Sequence, residues 1–128
     1  MQLLAPVSVG ELIDKITILK IKQQKASDEQ KLANIQRELN ELERTWQKEN
    51  TENLDISDLF EQLTKVNEAL WTIEDDIRAK EAEQSFDDEF IQLARSVYKQ
   101  NDLRAELKKQ INLRSGSILV EEKLYQKY

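Results

Sequence analysis

Apolar residues recur along this chain three and four positions apart, the spacing that lines one face of an α-helix. Val9, Leu12, Ile16 and Leu19 form the first series, and Ile13, Ile18 and Ile21 widen it until the segment is apolar on more than one side. Ser8-Val-Gly-Glu11 has the capping-box form, with a hydroxyl for the backbone N–H three residues on and a glutamate to reach back. The spacing therefore predicts a helix from Val9, limited backward by Pro6. Lys25-Ala-Ser27-Asp28 supplies a break and a cap. Leu32, Ile35, Leu39, Leu42 and Trp46 follow as a second helical series, interrupted by Asn50-Thr-Glu-Asn53.

Ser57 or Asp55 can cap a third helix, which carries Leu59, Leu63, Val66, Leu70, Ile73 and Ile77 on one seam to about Glu83. Ser85-Phe-Asp-Asp88 gives a turn and a cap. Phe90, Ile91, Ala94, Val97, Tyr98, Leu103, Leu107 and Ile111 then mark a fourth helix ending at Gly116. A turn this short between two long helices admits only an antiparallel hairpin. The fold class is all-α, one domain over residues 1–128. A first helical hairpin (1–56) precedes a long coiled-coil-like hairpin (57–116) and a short C-terminal segment (117–128). Ile118, Leu119, Val120, Leu124 and Tyr125 make that segment too apolar for disorder; it is a short helix docking back or a strand-like arm reaching a partner.

Composition removes most chemistry. With 128 residues there is room for one core, and with neither Cys nor His there is no thiolate, no disulfide, no imidazole ligand and no imidazole base. Only Mg²⁺ or Ca²⁺ would suit the remaining oxygen donors. Glu74, Asp75 and Asp76 are adjacent, and successive helical residues point about 100° apart, so they do not converge on one ion. No metal and no cofactor are expected. The small helical nucleotide pyrophosphatases need a clustered Glu-Glu-x-x-Glu together with Glu-x-x-Asp; Glu11-Leu-Ile-Asp14 resembles the second, and the first is missing. No apolar run reaches the roughly 20 residues of a membrane span, and Met1–Pro6 lacks the features of a signal peptide, so the expected location is the cytoplasm.

The net charge of −6 is unevenly spread: residues 51–90 carry thirteen acidic and three basic groups, residues 91–128 eight basic and four acidic. The acidic middle argues against nucleic acid as a partner. Opposite charges on the third and fourth helices favour their pairing.

Asn67, Trp71, Glu74 and Arg78 fall at i, i+4, i+7 and i+11, one stripe carrying an amide, an indole and an ion pair. It is a candidate ligand or interface surface, set against the simpler reading of helix packing with an intrahelical pair. On the fourth helix the line Phe90, Ala94, Val97, Asn101, Arg104, Lys108 and Ile111 turns from apolar to polar in its middle. Either the helix kinks at Asn101-Asp102, or Asn101 and Arg104 enter the bundle and meet acids from Glu74, Asp75 or Asp14. The acidic third helix opposite favours entry, since a charge buried alone costs several kcal/mol. Arg95 and Tyr98 complete the candidates. With Lys15, Arg78, Arg95 and Arg104 present, anion binding as in chorismate mutase is conceivable, although no motif matches that family.

Three stretches resemble a bacterial family known only as a domain of unknown function, along nearly the whole chain. They are Pro6–Leu19, Asn67–Arg78, and Leu93–Arg104 with Gly116–Lys123. Members often have Pro after the residue matching Asp28, where this chain has Glu29. The resemblance implies a setting among genes for glycosyltransferases and surface polysaccharides, and it transfers no catalytic residue. The expected function is a non-enzymatic interaction or scaffold protein. It forms a homo-oligomer, with a dimer favoured because the apolar stripes are wider than one partner covers, and it has room for a protein partner. The alternative is a small helical enzyme or binding protein that recognises an anionic metabolite through Arg78, Arg95 and Arg104.

Overall fold

The computed structural model describes residues 1–128 and contains four α-helices: α1 Val9–Lys25, α2 Glu29–Glu49, α3 Ser57–Ala82 and α4 Asp88–Ser115. The boundaries have local causes. Ser8 opens α1 by accepting the Glu11 N–H at 3.1 Å, but the return bond of a capping box is not made, because Lys108 engages the Glu11 carboxylate. Asp28 caps α2 through Gln30 and Lys31 at 2.8 and 3.2 Å. At α3 the cap position falls to Ile56 rather than to Ser57 or Asp55; Asp55 accepts from Ser57 N–H at 2.9 Å beside it. Asp87 caps α4 at 3.0 Å from Phe90 N–H, and α4 continues through Asn101 and Asp102 without the break that the sequence left open. Gly116, at φ 64°, closes α4 in the left-handed conformation, with Ser117 N–H donating to the Asn112 carbonyl at 2.9 Å.

α1 is the hub. It packs against α2, α3 and α4, whereas α2 touches α1 alone, so the two hairpins join through a single helix. The core places Leu12, Ile13, Ile16 and Leu19 of α1 against Leu39 of α2, Ile56, Leu59 and Leu63 of the α3 segment, and Leu107 and Ile111 of α4. Leu63 and Ile111 are fully buried, each contributing about 1.5–3 kcal/mol by leaving water.

All of this core lies at the open end of the α3–α4 hairpin. From residue 68 to residue 106 no side chain is fully buried, and Leu70, Ile73, Ile77, Phe90, Leu93 and Val97 remain half-buried. This stretch is a two-helix arm about 22 Å long with a half-buried seam, touched by the tail only where Tyr128 meets Tyr98 and Asp102. Arg114 grips Asp58 with both terminal nitrogens at the base of the hairpin, and Lys80 meets Asp87 and Glu89, each at 2.9 Å, at its tip. The pair at the base joins an acid of α3 to a base of α4 as the segment charges anticipate, whereas at the tip a lysine of α3 meets acids at the start of α4. Asp75, Asp76, Glu81, Glu83 and Asp88 near the tip have no ion-pair partner.

Residues 117–128 form neither helix nor strand and return along α4. Glu121 bonds Lys108, Tyr128 donates to Asp102 at 2.6 Å, and the Tyr128 ring lies 4.9 Å from that of Tyr98. Of the two alternatives, a short helix docking back or a strand-like arm reaching a partner, neither holds as stated: the segment docks back without forming a helix. No helix is long and apolar enough to cross a membrane.

Candidate functional site

Two polar stripes face each other where α1 crosses α4. Gly10, Asp14 and Thr17 fall at i, i+4 and i+7 on α1, and Arg104, Lys108 and Asn112 at i, i+4 and i+8 on α4, so each set shares a helix face. The Asp14 carboxylate, 1% exposed, accepts from Arg104 Nε at 3.0 Å and Nη2 at 2.5 Å, one nitrogen to each oxygen. Asn67 enters from α3 and donates to Asp14 Oδ1 and Thr17 Oγ1, both at 2.9 Å; the Thr17 hydroxyl donates back to the Asp14 carbonyl at 2.7 Å. One turn away Lys108 donates to Glu11 at 2.7 Å and to Glu121 of the tail at 2.9 Å.

Backbone proximity sets the spacing at the end of this ladder. Gly10 N–H donates to Asn112 Oδ1 at 2.6 Å, and a Cβ at residue 10 would stand 2.5 Å from the Lys108 carbonyl oxygen. Glycine is required there by space. Val9 N–H then donates to Ser117 Oγ at 3.2 Å, tying the start of α1 to the tail.

The electrostatics are those of a closed set. The hydrogen bond to Asp14 raises Arg104 above its ordinary value against the opposing effect of burial. Burial pulls Lys108 down, but Glu11 and Glu121 together outweigh it and leave the ammonium raised. Lys123 and then Lys108 hold the Glu121 carboxyl at about 2. Every buried side-chain nitrogen and oxygen has a partner. Beneath the tail, Lys108, Lys109, Asn112, Glu121 and Lys123 line a cavity of about 20 Å³, enough for a single water. No cluster of three or more acidic side chains is arranged to hold a metal ion. Asp14 spends both oxygens on Arg104 and Asn67, so the centre fixes how α1 sits on the hairpin and offers no free base or nucleophile to an open cleft.

The candidate residues separate. Asn67 and Arg104 lie in the centre, and the acid that meets Arg104 is Asp14, not Glu74 or Asp75 of α3. Asn101 is half-buried and makes no side-chain hydrogen bond, so of the two α4 residues expected to meet acids only Arg104 does. Trp71 is half-buried on the arm, and Glu74 and Arg78 form an exposed pair at 2.9 Å. Arg95 is exposed and reaches only Gln92 at 3.5 Å, while Tyr98 lies beside Tyr128. Sequence reasoning did not single out Gly10, Thr17, Asn112, Ser117 or Glu121 for the centre, gave Glu11 a capping role, and kept Lys108 as one position in a mixed line. The detectable signal was the polar set Gly10, Asp14 and Thr17 cutting through an otherwise apolar helix.

Eight residues of the network, Gly10, Glu11, Asp14, Thr17, Asn67, Arg104, Ser117 and Glu121, come from the stretches that carry the resemblance described above. No curated protein and no solved structure matches this chain. A family model described as a family of unknown function (DUF6165) matches residues 3–128, and the chain belongs to that family.

Proposed function

We propose that this protein is a non-enzymatic helical interaction protein: a rigid head built on α1 that presents the α3–α4 arm to other protein surfaces, beginning with its own. The observation that carries the reading is the contrast between head and arm. In the head every buried side-chain nitrogen and oxygen is satisfied within the chain, while between residues 68 and 106 no side chain is fully buried. A receptor for a small anion keeps donors free for its ligand; here the cations of the centre are already held by Asp14, Glu11 and Glu121. Arg78, Arg95 and Arg104 engage three separate partners, which removes support for a shared arginine pocket.

The setting we propose, the bacterial cytoplasm beside cell-surface glycan assembly, rests on the sequence resemblance and on the lack of a membrane-crossing helix. The experiment is a thermal-shift panel of anionic sugars, nucleotides and dicarboxylates on the wild type and on Arg78→Ala. The interaction reading expects no specific stabilisation of either protein. A saturable upward shift for the wild type that Arg78→Ala abolishes supports the metabolite-binding alternative instead.

A further inference from the structure

We propose that the uncovered face of the arm is the contact between two copies of this chain, set antiparallel about a two-fold axis beside Glu74 and Arg78. This deepens the interaction reading above and rests on it.

The stripe Asn67, Trp71, Glu74 and Arg78 continues at the same helical spacing to Ala82. Its Asn67 end is sealed under α1, Trp71 is half-buried, and Glu74, Arg78 and Ala82 beyond it are exposed. A two-fold contact uses the same patch twice, so the patch must complement itself when reversed. Reversed on itself, this stripe sets the indole of Trp71 opposite the small Ala82, and Glu74 opposite Arg78 in both directions. The exposed Glu74–Arg78 pair of one chain becomes half of a four-charge cluster.

Charge on the remainder of the arm selects a second copy as the occupant. The α4 segment begins with Asp87, Asp88 and Glu89 and turns cationic at Arg95 and Lys99, neither of which has an ion-pair partner. Antiparallel placement sets the acidic tip of one arm, where Asp88 has no ion-pair partner, at the axial level of the cationic stretch of the other, so one sequence supplies both signs. Ile91, 49% exposed on the flank of α4, adds apolar surface for such a contact to cover, about two turns away from Tyr98, which the tail's Tyr128 already meets. The overlap is limited to about 22 Å by α1 lying across the base of each arm, the length of a short four-helix bundle.

Sedimentation velocity over a broad concentration range tests this on wild type, Glu74→Arg, Arg78→Glu, the double reversal and Ala82→Arg. The wild type should reach twice the 15.1 kDa chain mass. Each single reversal sets like charges across the axis and should weaken the dimer by about tenfold or more, with the double reversal recovering most of the loss. Ala82→Arg, exposed in the single chain, should disrupt the dimer with circular dichroism unchanged. A wild type that stays at 15.1 kDa overturns both the contact and self-association. A dimer indifferent to the three single substitutions overturns this surface and leaves self-association standing on another.

Discussion

Arg104 and Asp14, ninety residues apart, meet through a two-nitrogen, two-oxygen contact at the level of the hairpin where α1 packs and beyond which the arm is uncovered. The Asp14 side chain is 1% exposed and that of Arg104 30%, so the pair has one sealed partner and one that retains some water. Removing the sealed partner leaves the Arg104 guanidinium without its carboxylate and the Asn67 amide with only Thr17 Oγ1 to accept from it. Asp14→Ala should therefore destabilise the fold by about 3 kcal/mol in urea unfolding. Replacing Asp14 and Arg104 together by Leu and Met should cost clearly less than the two single changes added. Strict additivity would mean that the pair is not coupled.

Gly10 makes a second prediction of a different kind. The Cβ of Gly10→Ala would meet backbone rather than a flexible side chain, so α1 must lift from α4, at a cost of about 1–3 kcal/mol. Gly116→Ala meets no atom within 4 Å and carries only the strain of its φ of 64°, about 1 kcal/mol. Chemical denaturation should show the first variant alone losing protection of the α1–α4 amides in hydrogen exchange.

The tail carries a separable part of the pH dependence, beside the Asp58 carboxyl that Arg114 holds at about 2 at the base of the hairpin. Glu121 has a folded value lowered from 4.5 to about 2 by Lys123 and Lys108, so its contribution is complete above 4.5 and is lost as pH falls toward 2. Tyr128 is raised above 10.0, first through its hydrogen bond to Asp102, so that contact is complete below 10.0 and is lost as pH rises through the raised value. Near-ultraviolet signals from Tyr128 should therefore report undocking at both extremes while the far-ultraviolet helix signal persists. A tail released in the middle of the range contradicts the assigned contacts.

Burial separates head from arm in the cost of truncation. Leu63→Ala, at a position with no exposure, should cost about 2–5 kcal/mol. Ile77→Ala on the half-buried seam leaves space that solvent already reaches and should cost about 1 kcal/mol. Equal losses would mean that the arm is covered within the single chain.

The helices were legible because their apolar spacing and their Asp and Ser caps are local properties. Asp28, Asp87 and Gly116 each end or begin a helix where the sequence places them. What the spacing could not convey is that α1 alone joins the hairpins, since α2 also carries a strong stripe but finds only α1 to cover it. The site was half legible. Arg104 announced itself as a cation on a line that should have been apolar, whereas Lys108 and Glu121 are ordinary surface residues until the tail turns back along α4. Glu11 misled because a capping box and a cross-helix ion pair require the same residue, and the buried ammonium of Lys108 competes better for its carboxylate than the uncharged backbone N–H of Ser8.

The central claim, that the protein acts through the arm and not through the polar centre, is tested most directly by hydrogen-exchange mass spectrometry at increasing protein concentration. Peptides from residues 70–82 and 90–101 should gain protection as concentration rises, while the α1 peptide spanning Gly10–Leu19 stays equally protected throughout. Concentration-independent exchange in the arm, with added anions instead protecting the segment around Arg104 and Lys108, would contradict the account.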